Sequence, residues 1–168
     1  MSRRESAPRI RSAAQNDLGL LWDFVAIAAY EPDADAAKDV PFVAAHLAGW
    51  RGPEDFGFIA ELGGAAIGAA WARQFSPDER PAFYVDERMP EITIGVKPHS
   101  RGQGVGGRLL GALMAEAARR GVDLCLNVRH DNPARHLYER NGFRLVPGSG
   151  APNRVGGTSF GMIWAAPR

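Results

Sequence analysis

The chain has 168 residues, 45% of them hydrophobic and 23% charged, which suits one globular domain with a sizeable core. A net charge of +1 without blocks of like charge gives no footprint for nucleic acid. The most apolar run, GGAAIGAAWA, falls far short of the ~20 residues that span a bilayer. The lone cysteine, Cys125, excludes an internal disulfide and a thiolate metal cluster, and its apolar neighbours mark it as a small core residue.

Residues 1–7, with Arg3 and Arg4, are expected to form a flexible, solvated tail. No apolar stretch follows, so no secretory signal is read and the default compartment is the cytoplasm. PRIRSA reads as a first strand. From Asp17 to Tyr30, Leu18, Leu21, Trp22, Val25 and Ala29 recur at helical spacing. EPDADAAKDVP breaks the pattern, and a second helix is predicted over Phe42 to Trp50. DFGFIAEL, Gly63-Gly64 and AAIGAAWARQF spell a hairpin. SPDERPAFYVDERMP is a polar loop with room for one short strand. EITIGV is a strand with Ile92, Ile94 and Val96 on one face and Glu91, Thr93 and Gly95 on the other.

After the glycine-rich stretch a helix carries Val105, Leu109, Leu113 and Ala117 on one stripe. Arg119 and Arg120 complement its carbonyl end and Gly121 stands at the C-cap. VDLCLNV is the next strand. Asn132 caps a short helix with Pro133 at its first position, Asn141-Gly142 ends it, and FRLV and TSFGMIWAA finish as strands. Strands alternate with helices in this half, so a parallel pair is expected there.

The stretch VKPHSRGQGVGGRLL asks what needs so bare a backbone. A phosphate-binding P-loop requires a Lys-Ser/Thr pair where Arg108 and Leu109 stand. Gly102, Gly104 and Gly107 spell the dinucleotide fingerprint. Its acid, Asp123, falls at the beginning of a strand whose end carries Asn127, and the ribose contact needs the acid at the end. A diphosphate cradle fits better: a strand ends at Val96, a loop follows, and glycines lead into a helix whose first N–H groups and partial positive charge suit phosphate oxygens. Several such contacts, each worth roughly 0.3–1 kcal/mol, make an anchor.

Arg101-x-x-Gly104-x-Gly106 resembles the Arg/Gln-x-x-Gly-x-Gly/Ala motif of the GCN5-related N-acetyltransferase (GNAT) family. EITIGVKP before it resembles that family's preceding strand. NPARHLYERNGF resembles its Asn-x-x-Ala-x-x-Leu-Tyr-Glu-x-x-Gly-Phe signature with one residue fewer before the alanine. The likeness is strong over 91–146 and looser elsewhere.

That resemblance implies an α/β fold: a central mixed, mostly antiparallel sheet of six to seven strands with about four flanking helices, in one domain over 1–168. It implies acetyl-CoA as cosubstrate, no metal, and acetyl transfer to a primary amine of a small molecule or peptide by direct attack. The cradle would be Arg101, Gly102, Gln103, Gly104, Val105, Gly106 and Gly107. Ile94 and Val96 would pair with pantetheine amides as a strand would, in the gap between the strands ending at Val96 and Asn127. Asn132 would reach the cofactor and Arg135 would assist a phosphate.

Tyr138 would be the general acid, a phenol that protonates or hydrogen-bonds the departing thiolate; spacing alone favours plain core, and the surrounding signature reverses that. Only about one lysine-like amine in two thousand is neutral at pH 7, so a base or water chain is expected. Glu91 at the start of the central strand is the first candidate base and His99 the second, ahead of Asp86 and Glu87. His46, His130 and His136 lack metal-ligand spacing. The acidic run Glu31, Asp33, Asp35 and Asp39 is either a solvated loop or a lure for a cationic amine. Dimerisation is common in the family, and TSFGMIWAA is apolar enough to pair with a second copy. A non-catalytic acyl-CoA sensor on the same fold is the alternative.

Overall fold

The computed structural model describes residues 7–50, 54–79 and 85–168; the basic stretch before Ala7 and the centre of the polar loop, 80–84, lie outside them. Eight strands form one sheet: β1 (Arg9–Ser12), β2 (Phe56–Leu62), β3 (Ala65–Arg73), β4 (Glu91–Val96), β5 (Leu124–Arg129), β6 (Arg144–Leu145), β7 (Ala151–Pro152) and β8 (Thr158–Trp164). Their order is β1-β2-β3-β4-β5-β8-β6, with β7 also on β8. Every pairing is antiparallel except that of β4 with β5. The expected mixed sheet is present, with the two-residue β7 as an addition.

Helices cover both faces. α1 (Leu18–Ala29), α2 (Ala34–Asp39) and α3 (Pro41–Ala44) lie over one face; α4 (Val105–Arg120) and α5 (Ala134–Arg140) lie over the other. On the α4 face Leu109, Leu110 and Leu113 are wholly buried against Ile92, Leu124, Leu126 and Met162, each leucine contributing about 1.5–3 kcal/mol. On the α1 face Leu21, Phe24 and Val25 pack with Leu47, Ile59 and Trp71. The alternation expected along β4 holds: Ile92, Ile94 and Val96 join the α4-side core, and Gly95 faces Phe24.

The region after α1 departs from the expectation of one helix over 42–50. A helix forms inside the supposed break, because Asp33 accepts the Ala36 N–H (2.9 Å) as N-cap and Lys38 meets Asp35 one turn later. Pro41 forces Val40 into an extended conformation, which ends α2 and starts the four-residue α3. A turned segment then runs to Gly49 at φ 78°. TSFGMIWAA also departs from its expected pairing role: β8 is flanked by β5 on one side and by β6 and β7 on the other, so neither edge is open to a second copy. No helix among the described residues is long and apolar enough to cross a membrane.

α1 crosses β4 so closely that a Cβ added at Gly95 would lie 2.5 Å from the Phe24 carbonyl oxygen. Both atoms are backbone, so neither can swing aside. Gly95→Ala is expected to cost about 1–3 kcal/mol, and Gly111→Ala, on the exposed face of α4 with open space at the Cβ, to gain up to about 1 kcal/mol. Thermal unfolding of the two variants against the parent checks both signs.

Candidate active site

β4 and β5 run parallel but share a single register pair, Glu91 with Cys125. β4 meanwhile pairs with β3 along its whole length, and β5 pairs with β8 through Arg129. The Lys97 N–H donates to the Ile67 carbonyl (2.9 Å), continuing the β3–β4 ladder. In an antiparallel ladder bonding alternates, so Glu91, Thr93 and Gly95 bond toward β3, and Ile92, Ile94 and Val96 turn their amides the other way. Pro90, of the same parity, accepts from the Cys125 N–H (3.0 Å). Beyond that bridge, Ile94 and Val96 present amides to a widening gap.

At the outer end of the gap β4 passes through Lys97 and one turn of 3-10 helix at Pro98–Ser100 into the glycine stretch. Arg101 Nε donates to the Val96 carbonyl (3.2 Å), and Gln103 Nε2 to the His99 carbonyl (3.1 Å), which tethers the loop. Gly102 and Gly104 hold φ of 72° and 78° with open space at the Cβ, a conformation L side chains resist. The first bond into α4 runs from the Arg108 N–H to the Gly104 carbonyl (3.1 Å), so the Val105, Gly106 and Gly107 amides point outward from the helix start. At Gly106 and Gly107 a Cβ would come within 3.4 and 3.6 Å of Leu137, ordinary contact. The packing of α4 on α5 therefore does not itself demand a bare backbone at either position.

Along the gap opens a cavity of about 390 Å³, whose walls include Glu91, Ile94, Asn127, Asn132 and Tyr138. Glu91 is 4% exposed. Its Oε1 lies 3.2 Å from His46 Nε2, and its buried Oε2 has no hydrogen-bond partner among the described residues. His46 Nδ1 lies 3.0 Å from the Phe42 carbonyl, which can only accept, so Nδ1 carries a hydrogen. The contact with Glu91 therefore holds a second proton, which makes the pair imidazolium–carboxylate or its neutral equivalent. Burial alone lowers the His46 pKa. The Glu91 carboxylate, the bond to it and the Phe42 and Val43 carbonyls outweigh that, and the net shift is upward. Two bonds from β3 fix the turn that carries His46: Trp71 Nε1 to the His46 carbonyl (2.8 Å) and the Arg73 guanidinium to the Ala45 carbonyl (2.6 Å). His46, set aside in the sequence for want of metal spacing, is thus a neighbour of the candidate base. Its partner stands 45 residues away, and no local pattern announces it.

Tyr138 reaches the cavity from α5, its ring 5.8 Å from that of Phe143. Its hydroxyl has no hydrogen-bond partner among the described residues, and burial, with Tyr30 adding slightly, pushes its pKa up to about 12. Pro133, not the expected Asn132, stands at the N-cap of α5, and Asn132 Oδ1 accepts the Ala134 N–H (2.9 Å) from one residue before it. Arg135 instead pairs with Glu139 (2.8 Å) in a separate shallow depression. His99 sits exposed in the loop, away from the cavity walls. Asp86 and Glu87 line a larger depression of about 930 Å³ near the starts of β4 and β5, away from Ile94, Asn127 and Tyr138. Three of the four residues of the acidic run are used within the fold: Glu31 pairs with Arg154, Asp33 caps α2 and Asp35 meets Lys38, while Asp39 is exposed at the end of α2.

The acetyltransferase (GNAT) family model matches residues 21–143. A mycothiol acetyltransferase from Streptomyces bingchenggensis (strain BCW-1) is 35% identical over 97 residues, 56% of this chain. The match takes in only 28% of that relative's length. Among solved structures, the ribosomal-protein-S18-alanine N-acetyltransferase of Escherichia coli superposes with a TM-score of 0.68 at 23% identity, covering 96% of this chain and 95% of that one. A phosphinothricin acetyltransferase from Sinorhizobium meliloti, in complex with acetyl-CoA, gives 0.65 at 23% identity over 95% and 89%. At such identities the likeness is one of fold.

Two measurements follow from the buried groups. A histidine with a raised pKa stabilises the fold fully below its ordinary value near 6.5, and that stabilisation is lost as pH rises through the raised value. Melting temperatures taken from about pH 6 to about pH 9 should fall more steeply for the parent than for His46→Gln. Cys125 is buried, with burial foremost and the Glu91 and Asp86 carboxylates adding to hold its thiol far above the ordinary range. An aromatic disulfide reagent is expected to label it only after unfolding.

Proposed function

The chain belongs to the GNAT acetyltransferase family, and on that premise we propose that it transfers the acetyl group of acetyl-CoA to a primary amine of a small molecule or peptide by direct attack. The parting of β4 from β5 carries the proposal: a strand with open amides leads from a helix N-terminus to a cavity flanked by a carboxylate and a phenol. Residues 1–168 act in it as one domain.

Acetyl-CoA supplies an activated thioester. The amides of Gln103 to Gly107 hold its diphosphate, with Gly102 and Gly104 giving the loop its turn and Arg101 tying it to Val96. Ile94 and Val96 pair with the pantetheine amides, and Asn127 and Asn132 flank the same path. Arg135, held by Glu139, is left to a peripheral phosphate contact at most.

Glu91 takes the proton from the amine through Oε2, the oxygen left unpartnered, while His46 holds Oε1 and fixes the orientation of the carboxylate. The Tyr138 hydroxyl faces the other side of the reaction. A phenol at about 12 stays protonated at every working pH, so it is always a donor. Handing its proton fully to a thiolate of ordinary pKa ~8.5 costs about 5 kcal/mol, so the hydroxyl stabilises the leaving sulfur mainly as a hydrogen-bond donor.

A thiol-release screen over amines, amino acids and peptide N-termini tests the proposal; coenzyme A that neither binds nor shifts the melting temperature ends it. Glu91→Gln should lower kcat by about 10²-fold or more. Tyr138→Phe, which keeps the packing, should slow turnover at every pH. The parent should show no rate loss from Tyr138 ionisation until the pH approaches about 12. A sensor without catalysis would bind coenzyme A and release no thiol with any acceptor.

A further inference from the structure

The cavity's α1-side mouth carries a charge that the chemistry above does not use. Cys125, Asn127 and Arg129 alternate with the α4-side residues Leu124, Leu126 and Val128, so they share the face of the sheet that holds Glu91, Thr93 and His46. Two arginines line the cavity. Arg154 is engaged, by Glu31 and by the Ala29 carbonyl (3.0 Å). Arg129 is half-buried, with its guanidinium 5.0 Å over the ring of Tyr30 and no carboxylate partner among the described residues. The acids beside it are already neutralised, Glu91 by His46 and Glu31 by Arg154. Arg129 is therefore the unbalanced charge of this mouth, and it is positive. Its exposed aromatic neighbours, Tyr30 and Phe42, add apolar surface.

We propose that Arg129 anchors a carboxylate on the acceptor, and that the amine acetylated here is a small molecule bearing both groups. The inference rests on the acetyltransferase reading. A guanidinium held over a ring presents its N–H fork to a planar anion with less entropy left to lose, and a carboxylate takes that fork with two parallel bonds. Register sets the scale. Arg129 stands four residues beyond Cys125, which pairs with Glu91, or about 13 Å along the strand. The arginine and glutamate side chains span much of that distance. What remains suits an amine and a carboxylate separated by a few methylenes better than a long peptide, whose terminal amine is far from its terminal carboxylate. Of the acidic run after α1, Glu31, Asp33 and Asp35 are engaged within the fold, and the exposed Asp39 is not among the cavity's lining residues.

The test compares 4-aminobutyrate and 6-aminohexanoate with propylamine and pentylamine, which lack only the carboxylate. The parent should prefer each amino acid over its matched amine by at least about tenfold in kcat/KM. Arg129→Gln should reduce that ratio about ten- to hundredfold, mainly through the acceptor KM, and Arg129→Lys should restore part of it. Without acetyl donor, 4-aminobutyrate should raise the melting temperature of the parent and not that of Arg129→Gln. Equal kcat/KM for acids and amines in the parent overturns the inference and leaves the acetyltransferase reading standing. A rise in the acetyl-CoA KM of Arg129→Gln that matches its acceptor defect also overturns it, because the arginine would then serve the cofactor. Absence of thiol release from every acceptor overturns both.

Discussion

A strand inside a sheet has hydrogen-bonding groups on two sides, and a buried amide without a partner costs as much as a lost hydrogen bond. β4 meets this requirement fully toward β3 and at one position toward β5. Everything distinctive about the molecule follows from that asymmetry. The two strands are pinned at Glu91 and Cys125 and diverge from there, so the sheet contains an internal edge open to another extended chain. Because the divergence runs toward the loop before α4, the edge ends where unbonded helix amides begin. One continuous track of backbone donors results, and it needs no side chain to define it.

The divergence also lets the two faces of the sheet communicate. Glu91 belongs to the face covered by α1 to α3, where the turn after α3 delivers His46 to it. Tyr138 belongs to the opposite face, on α5 beside Phe143. In a closed sheet the two could not border one space; here both line the same cavity. Their surroundings differ as sharply as their positions. The carboxylate is gripped on one oxygen and bare on the other, whereas the phenol is held by ring packing alone and kept neutral by burial.

How much of this the sequence disclosed depended on the range of the interactions. β4, α4 and α5 are legible because their signals are local: alternation with period two, a four-position apolar stripe, a C-cap glycine, an asparagine that accepts the Ala134 N–H. The glycine corner before α4, with Gly102 and Gly104 at positive φ, is legible for the same reason. His46 is not, since its meaning comes from a carboxylate 45 residues distant and it sits in the turn after a helix only four residues long. α2 is hidden by its own composition, alanines and aspartates that read as a break until the Asp33 cap is seen. Arg129 lies one residue past the strand read as VDLCLNV, so its face is undefined until β5 is seen to continue through it. The apolarity of β8 suggested an exposed edge because sequence cannot say how many neighbours a strand has.

The pairing of β5 sets the order in which this molecule can be assembled. β1 to β4 close on one another by antiparallel ladders, β2 and β3 through a two-residue turn, and every partner is in hand once residue 96 has been made. β5, by contrast, gains one bridge from β4 and six register pairs from β8, whose residues come some thirty positions later. Half of the cleft is therefore scaffolded early while its opposite bank waits for a distant segment, the kind of non-local closure that slows folding. A nascent chain shorter than about residue 164 can hold the glycine corner but has nothing to face it with.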